Sequence, residues 1–295
     1  MKTILLGPNG QLGTDVQAAN LRGGNALSLS LVGRSTVDLA DIDAASAFLR
    51  RQDFDCLINC SSYHKTDEVE RNAQLAFTIN THLVRSLAEI CLEKKARLVH
   101  ISTDYVFGGQ VKRAPLNETD CRAPINVYGA SKAMGEDLAL LTGANVWILR
   151  VASLFGAAGA SGKGGNFVET MIRVGREKGQ LRVVSDQTMS PTATKDVADV
   201  IIKMLQKELA PGVWHVVNSG AATWYEFAKR IIDRSGVNAA VIPIETSEFP
   251  TTAARPPYSV LDNSKISNSL AAMRTWQDAL DDYLLAKGHL KSKNG

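Results

Sequence analysis

The constraint that most limits this chain's fold is a rhythm in its first half. Short apolar runs at residues 3–6, 26–32, 55–59, 97–101 and 145–149 alternate with stretches of helical period at 11–21, 43–51, 74–94 and 127–141. Strand, helix, strand at this spacing predicts an α/β fold, a doubly wound parallel sheet of Rossmann type with helices on both faces. Strands covered on both faces carry continuous rather than alternating apolar residues, as these runs do.

The second half is more mixed. Residues 166–178, 194–209 and 275–286 read as helices, and 182–184, 213–218 and 240–244 as strands. Thr223-Trp224-Tyr225-Glu226 has the form of a capping box that opens a further helix. The alternation ends at a glycine-rich stretch, 156–165, which reads as a long loop. The expected division is a dinucleotide-binding domain over 1–151 and a smaller mixed α/β region, mainly substrate-binding, over 152–295. Segments at about 190–225 are expected to return to the first domain. The tail 287–295 is polar and basic and is expected to fray.

Composition narrows the class. A chain of 295 residues with 45% hydrophobic and 21% charged residues can bury a core, which excludes disorder. A net charge of +3 from 33 basic and 30 acidic residues gives no stripe for nucleic acid and no anchor for a membrane. No apolar run is long enough to span a bilayer, and the first residues read as a buried strand rather than a secretion signal, so a cytoplasmic location is expected. Cys56, Cys60, Cys91 and Cys121 read as reduced thiols, and the five histidines show no metal-ligand spacing, so no metal site is predicted. Trp147, Trp214, Trp224 and Trp276 read as packing residues, and Glu118 and Asp120 as solvated.

The first strand runs into Gly7-Pro8-Asn9-Gly10-Gln11-Leu12-Gly13, which opens the first helix. Such a turn must bend tightly, let a pyrophosphate touch the backbone and pack the helix against the strand, and glycine serves each need. The helix N-terminus adds N–H donors and a positive dipole end. An ordinary strand-to-helix turn has the same glycines, but the strand before and the helix after favour dinucleotide binding. After the second strand the chain offers Arg34 and Ser35, suited to a ribose 2′-phosphate, where a carboxylate would favour NAD. The coenzyme reading therefore leans to NADPH, with NADH as the alternative, and with Asp38 and Leu39 placed to flank an adenine. Arg34 as a solvated loop residue remains the competing reading.

Tyr128 and Lys132 stand four apart at the start of a helix, on one face. An ammonium beside a phenol stabilises the phenolate and lowers its pKa from about 10 toward working pH. Upstream, Ser102-Thr103-Asp104-Tyr105 follows the fourth strand at the carboxyl end of the sheet, where open α/β folds bind ligands. Thr103 could hydrogen-bond a substrate carbonyl beside Tyr128. Glycine turn, strand-end hydroxyls, then Tyr and Lys suit hydride transfer with a tyrosine proton donor. Arg255-Pro256-Pro257-Tyr258 reads either as a loop that closes Arg255 over a diphosphate or as a rigid proline turn. Asp186 and Gln187 are candidates to reach the site from a loop.

Taken together, the chain resembles the extended short-chain dehydrogenases, and within them the dTDP-4-dehydrorhamnose reductases. The matching segments are GPNGQLG (7–13), INCSSYHKTDEVE (58–70), VHISTDYVFGG (99–109), NVYGASKAMGE (126–136), ILRVASLFG (148–156), NFVETM (166–171), SDQTMSPT (185–192), TWYEFA (223–228) and RPPYSVLD (255–262). The resemblance implies NADPH-dependent reduction of the C4 ketone of a nucleotide-linked 6-deoxy-4-keto sugar, with dTDP-4-dehydrorhamnose giving dTDP-rhamnose for polysaccharide synthesis. It implies that Tyr128 protonates the alkoxide, Lys132 tunes Tyr128 and binds the coenzyme ribose, and Thr103 positions the ketone. It places Gly10, Gln11 and Leu12 on the pyrophosphate, and Asp38, Leu39, Ser62, Tyr63 and His64 along the rest of the coenzyme. Thr103 and Asp104 would touch the sugar.

Two departures stand out. Cys60-Ser61-Ser62 replaces the family's usual alanines, and Ser153 stands where members of the family commonly carry a tryptophan that packs on the substrate. A related sugar-nucleotide reductase or an epimerase is therefore an alternative. So is a non-catalytic or regulatory NADP-binding subunit of the same fold, for which the regulatory subunit of methionine adenosyltransferase is a precedent. A 4,6-dehydratase is disfavoured, because Asp104 is followed by Tyr105 rather than by a second carboxylate. Some relatives dimerise around Mg2+. A homodimer is accordingly an expectation here, whereas no ligand cluster in the sequence supports the metal.

Overall fold

The computed structural model describes residues 1–158 and 165–290. Residues 159–164 of the glycine-rich stretch and 291–295 of the tail lie outside the described residues.

The first half forms β1 (Lys2–Leu6), α1 (Gln11–Arg22), β2 (Ser28–Val32), α2 (Ile42–Arg50), β3 (Cys56–Asn59), α3 (Thr66–Arg71), α4 (Ala73–Phe77), α5 (Leu83–Glu93), β4 (Arg97–Thr103), α6 (Val127–Leu141) and β5 (Asn145–Val151). The second half forms β6 (Leu154–Phe155), α7 (Phe167–Lys178), β7 (Gln180–Val184), β8 (Thr188–Met189), β9 (Thr192–Ala193), α8 (Thr194–Gln206), β10 (Gly212–His215), β11 (Ala222–Thr223), α9 (Trp224–Ser235), β12 (Ala240–Ile244), α10 (Ser264–Ser269) and α11 (Trp276–Ala286). Six strands make one parallel sheet in the order β10-β5-β4-β3-β1-β2. The direction of strand addition reverses between β1 and β3, which opens a crevice at their carboxyl ends.

Two apolar layers clamp this sheet. On one face Leu5, Ile58 and Leu149 pack with Val16 of α1 and Val197 and Ile201 of α8. On the other, Leu6, Leu57 and Ile148 pack with Leu49 of α2 and Leu87 and Ile90 of α5. Each fully buried side chain of this size contributes about 1.5–3 kcal/mol. Both α8 and β10, from the second half, thus belong to the sheet's own layers. A third cluster, around Phe155, Phe227, Ile231, Trp276 and Leu280, gathers α9 and α11 beside the sheet. The capping box at Thr223 and Glu226 is present.

Three details depart from the periodicity. The stretch read as one helix over 74–94 contains a π turn, Thr78–His82, between α4 and α5. There Asn80 faces Gly135 of α6 so closely that an added methyl group would overlap the Asn80 carbonyl oxygen. The strand read over 213–218 leaves the sheet after His215. Glu118 is half-buried and accepts the His215 backbone N–H at 2.9 Å, and Asp120 takes the Asn117 N–H and Lys112, so neither is simply solvated. All four cysteines are free. Among the described residues no helix is long and apolar enough to cross a membrane.

Candidate active site

The glycine turn sits at the crevice. Gly7 has φ +72°, a left-handed backbone that favours glycine, and a methyl on Gly13 would overlap the Gly7 carbonyl oxygen. Gly10 caps α1 with no side chain over the first turn, and that turn carries no acidic residue. A pyrophosphate could therefore meet the N–H groups beginning at Gln11, while the Leu12 side chain is buried in the core below. These residues fit a dinucleotide. Gln11 Oε1 also lies 3.4 Å from Asn166 Nδ2. Arg34 is exposed on the turn after β2, whose Gly33 lies beside Pro8 and Asn9. Asp38 accepts the Ala40 N–H at 3.0 Å, and Leu39 packs on the core layer below.

The loop after β3 is held by a residue that the sequence reading passed over. Asn80, aimed by the π turn, accepts from Ser62 Oγ (3.2 Å) and Tyr63 N (3.0 Å). It donates to Tyr63 O (3.0 Å) and to Ser131 Oγ of α6 (3.1 Å). His64 Nδ1 lies 3.3 Å from Ser62 O. Asn80 thereby ties the Ser62-Tyr63-His64 loop to the helix that carries Tyr128.

That helix starts at a fixed place. Asn126 Oδ1 accepts the Gly129 N–H at 2.7 Å, and Gly129 lies so close to Tyr105 O that no larger residue fits. The Tyr128 phenol lies beside the hydroxyls of Thr103 and Ser62, and its ring meets Tyr105 edge to face with centroids 5.7 Å apart. Desolvation pushes the Tyr128 phenol up to about 12, against the lowering pull of Thr103 and Ser62. The lowered phenol expected from a neighbouring ammonium is not what this arrangement gives. The Lys132 amine is turned instead onto β4, 2.6 Å from Ile101 O and 3.0 Å from His100 Nε2. Burial pushes Lys132 itself down to about 7, with Glu136 opposing.

Asp104 is buried. Its Oδ1 accepts from Thr103 Oγ1 (3.1 Å) and its Oδ2 from Ser259 Oγ (2.6 Å). Desolvation pushes its carboxyl up to about 6, although both hydroxyls pull the other way. A shallow open cleft is lined by Asp104, Tyr105, Ser153, Gln187, Trp224 and Ser259. Ser153 holds φ +43°, unusual for a residue with a side chain. Trp224, expected only to pack, lines the cleft while its ring leans on Phe167 at 4.7 Å. Gln187 reaches the cleft, whereas Asp186 turns to Thr246. Arg255 is paired with Asp67 at 2.7 Å, next to the cleft residue Pro256. Below, Glu136 is buried between Ser102, Arg122 and Arg150. Among the described residues no cluster of His, Cys, Asp or Glu could hold a metal ion.

The chain matches the family model described as RmlD substrate binding domain over residues 1–287. It is 35% identical over 284 residues to the spore coat polysaccharide biosynthesis protein SpsK of Bacillus subtilis (strain 168), covering 96% of each chain. The crystal structure of a dTDP-4-dehydrorhamnose reductase from Clostridium acetobutylicum superposes with a TM-score of 0.90 at 33% identity, covering 98% of this chain and 100% of that one. A dTDP-4-dehydrorhamnose reductase from Bacillus anthracis str. Ames, solved in complex with NADP, superposes at 0.89 with 34% identity, covering 97% and 99%. With the glycine turn, the strand-end hydroxyls and the Tyr-Lys helix in place on a Rossmann-type sheet, the chain belongs to the dTDP-4-dehydrorhamnose reductase family of oxidoreductases.

Proposed function

We propose that this protein reduces the C4 ketone of a dTDP-linked 6-deoxy-4-keto sugar with NADPH, converting dTDP-4-dehydrorhamnose to dTDP-rhamnose. The observation that carries the reading is the meeting of Thr103, Ser62 and Tyr128 at the carboxyl end of β4, beside the cleft. The coenzyme, when bound, supplies hydride to C4. Gly7, Gly10, Gln11, Leu12 and Gly13 hold its pyrophosphate, and Arg34 its 2′-phosphate, with Asp38 and Leu39 at the adenine. Ser62, Tyr63 and His64 line the nicotinamide side. Thr103 holds the ketone oxygen and Tyr128 gives it a proton, while Lys132 serves Tyr128 and the ribose. A phenol kept protonated by its burial is suited to donate. Asp104, Ser153 and Arg255 face the sugar nucleotide.

On this reading residues 1–151 hold the coenzyme, with about 190–225 completing that layer, and the rest of 152–295 holds the substrate. The protein works in the cytoplasm, as a homodimer, in polysaccharide synthesis. Ser153 supports a second reading, a related keto sugar nucleotide as substrate, because a small side chain there leaves room that a tryptophan would fill.

The test is NADPH oxidation with dTDP-4-dehydrorhamnose and a panel of other 4-keto sugar nucleotides, for wild type and Tyr128→Phe. The variant should lose about 10²–10⁴ in kcat with NADPH affinity kept within about threefold. Equal turnover would remove the tyrosine mechanism. Turnover of another panel member alone would establish the second reading, and inactivity on all of them the regulatory one.

A further inference from the structure

β4 carries a histidine in the middle of its buried run. His100 is fully buried, and each of its ring nitrogens faces one side chain. Nδ1 lies 3.1 Å from Asn59 Nδ2, and Nε2 lies 3.0 Å from Lys132 Nζ. The orientation of the Asn59 amide is fixed from its other side. Asn59 Oδ1 accepts the backbone N–H of Ser61 at 3.0 Å. A backbone N–H only donates, so the oxygen must lie there and the NH2 must face the histidine. An amide nitrogen offers no acceptor, which leaves His100 Nδ1 as the bare nitrogen.

Complete burial alone keeps the imidazole neutral. A neutral imidazole carries its single proton on the other nitrogen, so Nε2–H points at Lys132. An ammonium has three donors and no acceptor and would set N–H against N–H. A free amine has a lone pair to receive the Nε2 proton, and still donates to Ile101 O at 2.6 Å.

We propose that His100, fixed by Asn59 as the Nε2-protonated tautomer, is a positioning residue that docks Lys132 on β4 as the neutral amine. Protonation of Lys132 turns this contact repulsive and releases the side chain toward Tyr128, four residues earlier on the same helix face. The charged group that acts on Lys132 is Glu136, one turn on along α6. Glu136 is held by Arg150 of β5 and by Arg122.

The role in turnover rests on the reductase reading, and its protons balance. As C4 receives hydride, the Tyr128 O–H bond breaks and the proton goes to O4. A Lys132 N–H bond then breaks and restores the phenol. Lys132, again an amine, returns to the His100 N–H, and one proton from water reloads it. One proton is consumed per ketone reduced, the stoichiometry of NADPH-dependent reduction.

The full-length protein with 15N-labelled histidine, free of coenzyme and sugar, gives the tautomer directly by long-range 1H–15N correlation. The His100 signals are identified by their loss in His100→Gln. A proton on Nε2 with a bare Nδ1, over roughly pH 6 to 9, is expected. A proton on Nδ1 would overturn the proposal. In Asn59→Asp the carboxylate accepts both from Ser61 N–H and from the ring, which flips the tautomer and anchors Lys132 as an ammonium. Then kcat should fall about tenfold or more with KM for the sugar nucleotide kept within about threefold, and the pH profile of kcat should shift. A flipped tautomer with an unchanged pH profile would overturn the positioning role. Should Asn59→Asp fail to fold, the wild-type tautomer decides alone. That measurement uses no substrate, so its failure is distinct from failure of the reductase reading, which Tyr128→Phe decides.

Discussion

Arg255 Nη2 and Asp67 Oδ2 pair at 2.7 Å, joining the chain that follows β12 to the first turn of α3. The same carboxylate accepts the Ala253 N–H at 2.9 Å, and Arg71 adds a bond to Thr252 at 3.0 Å. Burial alone would lift the Asp67 carboxyl, but the Ala253 N–H and the Arg255 guanidinium hold it below the ordinary range. A segment from the second half is thus strapped to α3, the helix that follows the Ser62-Tyr63-His64 loop.

A diphosphate drawn to Arg255 must compete with Asp67. Charge-assisted hydrogen bonds contribute about 1.5–3 kcal/mol, so Arg255→Ala should raise KM for the sugar nucleotide about 10- to 100-fold, with kcat within about twofold. Asp67→Asn keeps an acceptor for Ala253 and drops the competing charge, so its KM should match or fall below wild type. Steady-state kinetics at fixed NADPH checks both. An unchanged KM in Arg255→Ala would reduce the pair to a strap.

The sheet and its helices were legible because period and turn chemistry are local. The helix over 127–141 coincides with α6, since Asn126 caps it and Gly143 follows it. What escaped were groups whose meaning lies in a partner far along the chain. Nothing in the local pattern of 74–94 encodes the π turn, which places Asn80 between Ser62 and Ser131. His100 did leave a signal, a polar residue inside a buried strand, which must find partners. Those partners, Asn59 and Lys132, lie 41 and 32 residues away. The direction of the Tyr128 shift was misread for the same reason: four-residue spacing puts Lys132 on the right face, but only the packing turns its amine to β4.

Asp104 should make stability depend on pH with an unusual sign. Its folded pKa is raised, from 3.8 to about 6, so the fold favours the protonated carboxyl. That contribution is fully present below about pH 4 and is lost as pH rises through 6, where an ionised carboxylate must stay buried. The loss is about 2 to 3 kcal/mol at 1.36 kcal/mol per pKa unit. Asp104→Asn is neutral throughout. It should lie close to wild type at pH 4 and be more stable by about that amount at pH 8. Thermal melts at the two pH values check it, and an equal difference at both would sink it.

Glu136 should be the costliest carboxylate to remove. It is 1% exposed, accepts from Arg150 at 2.7 and 3.0 Å and from Arg122 at 3.1 Å, and also holds Ser102. These contacts tie α6 to β4 and β5. Breaking one side of a buried pair strands the other charge, so Glu136→Ala should lose about 3–5 kcal/mol. Glu136→Gln, which keeps an acceptor, should lose less. Urea unfolding monitored by circular dichroism gives the difference at constant slope. A loss under about 1 kcal/mol would show that water reaches the network.

Trp224 should act on the sugar nucleotide and not on the coenzyme. It is the first residue of α9, inside the Thr223–Glu226 capping box, and that box uses no atom of its side chain. The ring is therefore free to be replaced without uncapping the helix. It lines the cleft together with Asp104, Tyr105 and the small Ser153. Stacking of a base or sugar on an aromatic face contributes about 1–3 kcal/mol, so Trp224→Leu should raise KM for the sugar nucleotide about 5- to 100-fold. KM for NADPH should stay within about twofold, because the glycine turn and the Asn80-held loop are untouched. Trp147, Trp214 and Trp276 are each buried, so quenching of tryptophan emission by dTDP should vanish in Trp224→Leu. Quenching and KM that both survive the substitution would place the nucleotide outside this cleft.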